Sequence, residues 1–501
     1  MNLFSLIRQS IPSADAWFLE DAARRRMSYG DMLARSGKIA NVLVARGVKP
    51  GDRVAVQVEK TPENLLLYLA ALRAGAVYLP LNTAYTLTEL DYFIGDSGPA
   101  LVVCNPASHA GVLKIAERHG VAAVETLDAK GEGSLSAAAS HAATDFADVA
   151  RQASDLAAIL YTSGTTGRSK GAMLTHRNLA SNALVLKDFW RFTANDVLLH
   201  ALPVYHTHGL FVACNTLMLA GGAMIFLPKF DADQVMALLP RATAMMGVPT
   251  FYTRLLKHPG LTREACAHMR LFTSGSAPLL AETHHEFQEK TGHAILERYG
   301  MTETNMSTSN PYDGDRIAGT VGFPLPGVAL RIVDEDGREV PQGEIGGIEV
   351  RGDNVFSGYW RMPDKTKAEF RADGFFITGD VGRIDARGYV HIVGRAKDLV
   401  ITGGFNVYPV EVEAEIDAIP GVMESAVIGC PHPDFGEGVT AIVVCKPDTA
   451  LTEDDILKTL EARLARFKLP KRVLFTADLP RNSMGKVQKN LLREQNKDLY
   501  A

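Results

Sequence analysis

The hydrophobic positions in the first part of the chain alternate between two spacings. Residues 29–46 and 62–75 carry apolar side chains at helical spacing, and Thr61 stands where the second helix needs an N-cap. Residues 53–58 alternate as a strand, and residues 101–104 form a short apolar run typical of a buried strand. This alternation predicts an α/β protein whose mainly parallel sheets are covered by helices.

The pattern changes twice further along the chain. Residues 128–150, rich in Ala, Ser, Gly and Asp, indicate a surface connection. From about Gly319 the pattern is that of short strands punctuated by glycine, and after residue 395 it is mixed again, with a helix predicted at 453–466. Because 501 residues are too many for one core, we expect a large N-terminal domain, 1–394, and a small C-terminal domain, 395–501.

Composition narrows the function classes. The net charge of −5 argues against bulk binding to nucleic acid or to an anionic membrane. The apolar stretch 198–228 contains histidines and a proline, so we expect a buried segment rather than a membrane span. Five separated cysteines without a C-x-x-C pair indicate reduced thiols and a cytoplasmic protein rather than a zinc site. The N-terminus does not resemble a signal peptide.

The most informative segment is residues 162–171, Thr-Ser-Gly-Thr-Thr-Gly-Arg-Ser-Lys-Gly. Glycines, hydroxyls and cations directly after an apolar strand offer the donors and charge that a polyphosphate needs. The spacing excludes a Walker loop, because Gly164 and Gly167 are three apart and Lys170 is followed by Gly171 rather than by a hydroxyl residue. Since residues 172–175 are strand-like, we expect a loop between two strands.

Four further motifs follow in order, at residues 299–304, 378–380, 394–398 and 480–486. With the loop, they resemble the adenylate-forming acyl-CoA synthetases, which share a fold with firefly luciferase and peptide-synthetase adenylation domains. The resemblance implies a large N-terminal domain of layered βαβ subdomains and a small mobile C-terminal α+β domain. It also implies two steps. A carboxylate and MgATP give acyl-AMP and pyrophosphate, and the thiol of coenzyme A then displaces AMP.

The resemblance assigns roles residue by residue. Mg²⁺ is expected at Thr162 and Glu303, whose oxygens suit this ion, and the ribose hydroxyls are expected at Asp380. The positions expected to bind ATP or coenzyme A are Thr162, Ser163, Gly164, Thr165, Thr166, Gly167, Arg168, Lys170, Ser276, Ala277, Pro278, Glu297, Tyr299, Gly300, Met301, Thr302, Asp380, Arg395, Lys397, Gly403 and Gly404.

The resemblance also makes Lys486 the catalytic residue of the first step, since its charge would bring carboxylate and α-phosphate together. Their repulsion is about 4 kcal/mol at about 4 Å with an effective dielectric near 20. Acetylation by a lysine acetyltransferase would remove this charge. Lys397 occupies the hinge position of the family, and Gly403 and Gly404 would face the coenzyme A channel.

The acyl pocket of the family corresponds here to residues 205–209, 248–254, 274–278 and 300–306. We predict that His206 and Arg254 take part in the reaction, and that the acid contacts His206, Thr207, Arg254, Ser276 and Met306. An arginine in such a pocket favours a dicarboxylate as substrate, because the guanidinium can donate two hydrogen bonds to the second carboxylate. Together with Arg168, this pattern is similar to malonyl-CoA synthetases, so malonate is the expected acid.

Three alternatives stay open at this point. The first is the ligation of another short-chain, aryl or medium-chain acid to coenzyme A, and the presence of a cation in the pocket distinguishes it from the ligation of a dicarboxylate. A stand-alone adenylation module would load a carrier-protein thiol instead. A non-catalytic adenylate-binding protein is disfavoured because Lys170, Glu303, Asp380 and Lys486 are all present.

Overall fold

The structure is a computed structural model. It describes residues 2–162, 169–403, 405–447, 449–482 and 485–500. Within them the helices, α1 to α15, are Leu3–Gln9, Tyr29–Ala45, Pro62–Arg73, Leu87–Ser97, His109–His119, Ser134–His141, His176–Phe189, Asn215–Ala220, Ala232–Leu238, Pro249–Leu256, Ala281–Thr291, Pro363–Ala368, Pro409–Asp417, Glu453–Glu461 and Lys489–Gln495.

The strands of the same residues, β1 to β24, are Trp17–Asp21, Arg26–Ser28, Arg53–Gln57, Val77–Pro80, Leu101–Cys104, Ala123–Thr126, Leu156–Thr162, Lys170–Thr175, Val197–His200, Ala223–Phe226, Ala244–Gly247, Leu271–Ser274, Leu296–Met301, Asn305–Ser309, Phe323–Pro324, Ala329–Val333, Gly346–Arg351, Phe376–Ile384, Val390–Arg395, Val400–Thr402, Phe405–Val407, Val422–His432, Gly436–Cys445 and Arg472–Phe475.

The chain forms two compact units. The large unit comprises Met1–Gly319, Phe323–Ala329 and Val350–Phe376, and the small unit comprises Thr320–Gly322, Leu330–Glu349 and Ile377–Ala501. The predicted α/β fold with a large N-terminal and a small C-terminal part is confirmed. The boundary at 394/395 stays a prediction.

Two mainly parallel sheets lie in the large unit. One has the strand order β15-β14-β13-β12-β11-β9-β10-β1-β2, and the other has the order β6-β5-β3-β4-β7-β8. The helix α3 shows why the sequence folds this way. Thr61 accepts a hydrogen bond from Asn64 N at 3.1 Å, and every residue from 64 to 73 is buried. A helix that is apolar on every face needs packing partners on every side. The layered α/β arrangement supplies these partners.

The small unit contains a mixed sheet with the order β21-β20-β23-β22, in which β24 pairs with β23. Its core is made of aliphatic side chains from these strands and from α13 and α14, among them Val412, Ile416, Val427 and Leu460. A further sheet, β16-β17-β18-β19, contributes most of its residues to this unit.

Two local predictions were wrong. Residues 128–150 contain the helix α6, which packs Leu135 and Ala139 inward, because alanine favours helix even where serine and glycine are frequent nearby. The helix predicted at 453–466 ends at Glu461, since the last residues of the run form a turn and a 3₁₀ segment, Arg466–Lys468.

Candidate active site

The segment predicted to bind phosphates joins two antiparallel strands. β7 ends at Thr162 and β8 begins at Lys170, and these residues face each other in the register of the pair. The two predicted flanking strands are therefore confirmed, and a strand rather than the helix of a Walker motif follows the segment. The predicted phosphate-binding positions between them, Ser163, Gly164, Thr165, Thr166, Gly167 and Arg168, lie outside the described residues.

The two residues predicted to hold Mg²⁺ are neighbours. Thr162 Oγ1 lies 3.4 Å from Glu303 Oε1. Burial raises the pKa of the Glu303 carboxyl, although a hydrogen bond from Tyr359 and the charge of Lys170 oppose this. A hydroxyl and a carboxylate fit Mg²⁺, which prefers oxygen ligands and completes its shell with phosphate and water oxygens. The described residues contain no cluster of three His, Cys, Asp or Glu side chains that would hold a metal alone.

Two residues that the sequence analysis missed also lie at this end of the site. The Tyr359 hydroxyl is 3.0 Å from Glu303 Oε1 and 2.7 Å from Glu369 Oε2. Glu369 in turn forms an ion pair with Lys170 at 3.3 Å. Both residues lie more than fifty positions from Glu303 in the sequence, and only the packing of the chain brings them to it.

The predicted acyl pocket includes a π-helical segment, His208–Cys214, a conformation that is often found at functional sites. His206 and Thr207 directly precede it. Burial lowers the pKa of His206 to about 4, so its ring is neutral near pH 7. Thr207 Oγ1 is buried and has no hydrogen-bond partner among the described residues. This segment therefore offers neutral polar groups to a ligand.

Ser276 reaches the same segment. Its Oγ lies 3.2 Å from Nδ1 of His208, and its backbone has a φ of 71°, a strained value for a residue with a Cβ that often marks a functional site. Burial, and secondly the charge of Arg298, hold the pKa of His208 well below its ordinary value. His208 Nε2 makes no hydrogen bond with any described residue.

Arg298 is a candidate binding residue that the sequence analysis missed in this region. It lies in β13, is only 3% exposed, and packs against Gly275, where an added Cβ would lie 2.2 Å from Arg298 Nη1. Burial lowers the pKa of Arg298 to about 9, so the guanidinium is still charged near pH 7. Its Nε and Nη2 atoms find no hydrogen-bond partner among the described residues. An unpaired buried cation is costly, which indicates that an anion binds here.

The argument that pointed to Arg254 applies to Arg298 instead. Arg254 lies in α10 and is exposed, whereas the buried guanidinium of the region is Arg298. The signal was present in the sequence, because Glu297 and Arg298 are adjacent charged residues inside a strand that directly precedes a motif. The role predicted for Arg254 stays a prediction. Met306, the other predicted pocket wall, is buried in β14.

The predicted nucleotide positions of the large unit cluster at the ends of two neighbouring strands. Ser276, Ala277 and Pro278 follow β12, and the other positions lie along and just after β13, namely Glu297, Tyr299, Gly300, Met301 and Thr302. Burial raises the pKa of Glu297, while His284, 3.6 Å away, acts in the opposite direction.

The predicted ribose-binding residue of the small unit has a fixed partner. Asp380 in β18 faces Arg395 in β19, and their Oδ1 and Nε atoms are 2.9 Å apart. Asp380 is 4% exposed and its backbone N–H donates to Thr378 Oγ1 at 3.0 Å. One carboxylate thus stands in a defined orientation beside one guanidinium.

Lys486 belongs to the same unit, and the charges of Asp380 and Arg395 act on it. Burial lowers the pKa of Lys486 to about 8, and the charges of Arg395 and Asp380 act on it in opposite directions. Lys397 lies in the 3₁₀ segment Ala396–Asp398, and burial also lowers its pKa. Gly403 N donates to Phe435 O at 2.9 Å, whereas Gly404 lies outside the described residues.

Comparison with known proteins identifies the family. Residues 9–360 match the family described as AMP-binding enzyme, and residues 411–486 match the AMP-binding enzyme C-terminal domain. The chain belongs to the AMP-binding enzymes. The family resemblance drawn from the five motifs is thereby confirmed.

Several AMP-binding enzymes resemble the chain over nearly its whole length. ATP-bound MatB from Rhodopseudomonas palustris is 64% identical, with a TM-score of 0.98, and the match covers 100% of this chain and 99% of that one. A feruloyl-CoA synthase of Amycolatopsis is 36% identical over 94% of both chains. A mitochondrial malonate–CoA ligase of Mus musculus is 35% identical over 93% of this chain and 86% of its own.

None of the helices in the described ranges has the length and apolar character to cross a membrane.

Proposed function

We propose that this AMP-binding enzyme ligates malonate to coenzyme A. In the first step malonate and ATP give malonyl-AMP and pyrophosphate, and in the second step coenzyme A displaces AMP to give malonyl-CoA. The observation that carries the choice of acid is the buried guanidinium of Arg298, which has two nitrogen atoms without a partner among the described residues.

Overall similarity alone does not select the acid. The relatives at 35–36% identity include enzymes named for ferulate, malonate and oxalate. An aryl acid such as ferulate has no second carboxylate, so it would leave Arg298 buried and unpaired, at a cost of several kcal/mol by order of magnitude. Malonate supplies the missing anion, and a guanidinium holds a carboxylate with two charge-assisted hydrogen bonds.

The neutral groups around the cation fit the same substrate. Thr207 Oγ1 and His208 Nε2 are buried without partners among the described residues, and both can hydrogen-bond to a carboxylate or to the reacting acyl oxygen. His208 and His206 remain uncharged near pH 7. Beside these neutral rings Arg298 supplies a strong positive charge, which suits the distal carboxylate of a short diacid. Met306 would limit the space at its α-carbon.

At the phosphate end, Thr162 and Glu303 would hold Mg²⁺ and Lys170 would bind the terminal phosphates. The ion would supply positive charge that neutralises the phosphate oxygens during attack on the α-phosphate. Lys170 adds a second, fixed charge from the start of β8. Catalysis of phosphoryl and nucleotidyl transfer depends mainly on such positioning and charge neutralisation.

In this proposal the small unit supplies Asp380 for the ribose hydroxyls and Lys486 for the first step. The cation of Lys486 would offset the repulsion between the malonate carboxylate and the α-phosphate. The boundary at 394/395, the hinge at Lys397 and the coenzyme A contacts of Gly403 and Gly404 remain predictions from the family. So do the cytoplasmic location and the action of a lysine acetyltransferase on Lys486.

A panel of acids tests the function directly. Purified protein with MgATP is given malonate, methylmalonate, succinate, butyrate or ferulate, and the release of AMP and pyrophosphate is measured with and without coenzyme A. We expect malonate to give the highest rate, methylmalonate to be slower, and malonyl-CoA to form only with coenzyme A. Faster turnover of butyrate or ferulate than of malonate would refute the proposal. Carrier-protein loading is refuted if free coenzyme A is an efficient acceptor.

A further inference from the structure

The lysine at the phosphate end of the site already has an anionic partner. Lys170 Nζ lies 3.3 Å from Glu369 Oε1, and both side chains are about four-fifths buried, with exposed fractions of 19% and 18%. The same ammonium group stands 4.2 Å from the ring centroid of Tyr359. A charge with this little access to water interacts with its neighbours more strongly than a surface lysine does.

Glu369 is held in place from several sides. Tyr359 donates toward Glu369 Oε2 at 2.7 Å, and Lys365 Nζ lies 2.7 Å from Oε1. Although burial would raise the pKa of this carboxyl, the hydrogen bonds from Lys365 and Tyr359 and the charge of Lys170 keep it below its ordinary value. Glu369 is therefore an oriented anion near pH 7.

Tyr359 connects this anion to the residues expected at the metal. Its single hydroxyl lies within hydrogen-bond distance of both Glu369 and Glu303. Burial and the neighbouring carboxylates raise the pKa of Tyr359 far above its ordinary value, so it keeps its proton and donates to one carboxylate at a time. Two carboxylates and one lysine thus share a compact network on the large unit.

We propose that Glu369 is a positioning residue that competes with pyrophosphate for Lys170. In the free protein its carboxylate neutralises the lysine. When the terminal phosphates bind, Lys170 leaves its ion pair with Glu369 and pairs with the phosphates. When pyrophosphate leaves, the ion pair between Lys170 and Glu369 forms again. The inference rests on the proposed function, which places the phosphates at Lys170, and adds an exchange of partners that neither the motifs nor the relatives' names describe.

The physical consequence concerns product release. A lysine without a counter-ion would bind the multiply charged pyrophosphate more tightly than turnover requires, because charge-assisted hydrogen bonds to phosphate are strong. A resident carboxylate lowers that affinity by the free energy of its own pair with the lysine. Exposed ion pairs correspond to at most about fivefold in a binding constant, and because this pair is about four-fifths buried we expect roughly three- to tenfold.

The test measures binding of inorganic pyrophosphate, with Mg²⁺ present, by titration calorimetry of the full chain. We expect Glu369→Gln to bind pyrophosphate about three- to tenfold more tightly than the wild type. Product inhibition by pyrophosphate should strengthen by the same factor, while the single-turnover rate of acyl-AMP formation should change less. A residue with a purely structural role would not produce tighter binding. Lys170→Ala should weaken pyrophosphate binding by about tenfold or more.

Asp364→Asn is the matched control, because it removes one negative charge from an exposed position of α12, the helix that Glu369 caps at its C-terminus. We expect it to bind pyrophosphate like the wild type. Glu369→Asp retracts the carboxylate while keeping its charge, and it should tighten binding in the same direction as Glu369→Gln. If Glu369→Gln is unstable, this second variant still decides the question.

Unchanged or weaker pyrophosphate binding by the Glu369 variants would overturn the inference, as would wild-type affinity in Lys170→Ala or an equal effect of Asp364→Asn. These outcomes are separable from failure of the proposed function. Malonate-dependent AMP release by the wild type is measured in the same preparation. Its presence beside unaltered pyrophosphate binding refutes only the role of Glu369, and its absence refutes the choice of malonate.

Discussion

The guanidinium of Arg298 packs on Gly275 so closely that a methyl group on that glycine would lie 2.2 Å from Nη1. The contact joins β13 to the residue that follows β12, its parallel neighbour in the sheet. It holds a buried cation against the residue that precedes Ser276, and the charge of this cation acts on His208. The absence of a side chain at position 275 is therefore what makes room for this buried charge.

Arg298→Leu tests that charge. We expect kcat/KM for malonate to fall by about thirtyfold or more, since losing one partner of a buried charge pair costs about 2 kcal/mol or more. Turnover of butyrate should rise, because the pocket becomes apolar. The thermal midpoint should not fall, as an unpaired buried cation is removed. The comparison variant is Arg254→Leu, at an exposed position. If it abolishes malonate turnover while Arg298→Leu does not, the original assignment to Arg254 is correct.

Gly275→Ala tests the close approach. The new methyl group would displace the guanidinium, whose position near 2.2 Å leaves no space for it. We expect KM for malonate to rise several-fold while KM for ATP changes little, as measured by steady-state kinetics. Gly347→Ala is the control, because its added Cβ would meet only ordinary contacts at 3.7 Å. Equal effects of both variants, or an unchanged KM in Gly275→Ala, would contradict the geometry.

Lys486→Ala separates the two half-reactions. Acyl-AMP formation should fall by about a hundredfold or more, since a charge that acts in the transition state is lost. Thioester formation from supplied malonyl-AMP should remain largely intact. Lys486→Gln, which mimics acetylation, should behave like the alanine variant. Equal losses in both half-reactions would remove Lys486 from the proposed role.

The pH dependence of the first step follows from the same lysine. Burial lowers its pKa to about 8, so the charged form dominates below pH 8 and is lost above it. We expect the single-turnover rate of acyl-AMP formation to decline as pH rises through about 8. In Lys486→Arg the overall rate should be lower, since arginine does not reproduce the geometry of lysine. The decline near pH 8 should nevertheless disappear. If the rate still declines near pH 8 in that variant, a titrating group other than Lys486 causes the decline.

Lys397→Pro tests the predicted hinge. Proline fixes φ at about −65°, so a rotation about this residue would be hindered. We expect thioester formation to slow far more than adenylation, as followed by separate half-reaction assays. Lys397→Ala removes the charge without fixing the backbone and should leave the ratio of the two rates near that of the wild type. If proline slows both steps equally, the hinge does not lie at this residue.

The phosphate end of the site shows most clearly how much the sequence alone could predict. The two strands that end at Thr162 and begin at Lys170 were predictable, because apolar runs flank a contiguous glycine and hydroxyl segment whose spacing excludes a Walker loop. The family was predictable for the same reason, since five local motifs occur in order. By contrast, Tyr359 and Glu369 carry no local signal of their own, and their contacts with Glu303 and Lys170 span 56 and 199 residues.

Contiguous patterns along the chain were thus enough to predict the α/β class, the AMP-binding family and the residue types needed to handle ATP. Which arginine is buried followed from the folded chain alone. Arg298 lies in a strand paired on both sides, with β12 and β14, whereas Arg254 lies on the exposed face of a helix. Burial is a property of what the rest of the chain packs against a side chain. The adjacent charges of Glu297 and Arg298 inside a strand mark an unusual position, but they do not specify which arginine is buried.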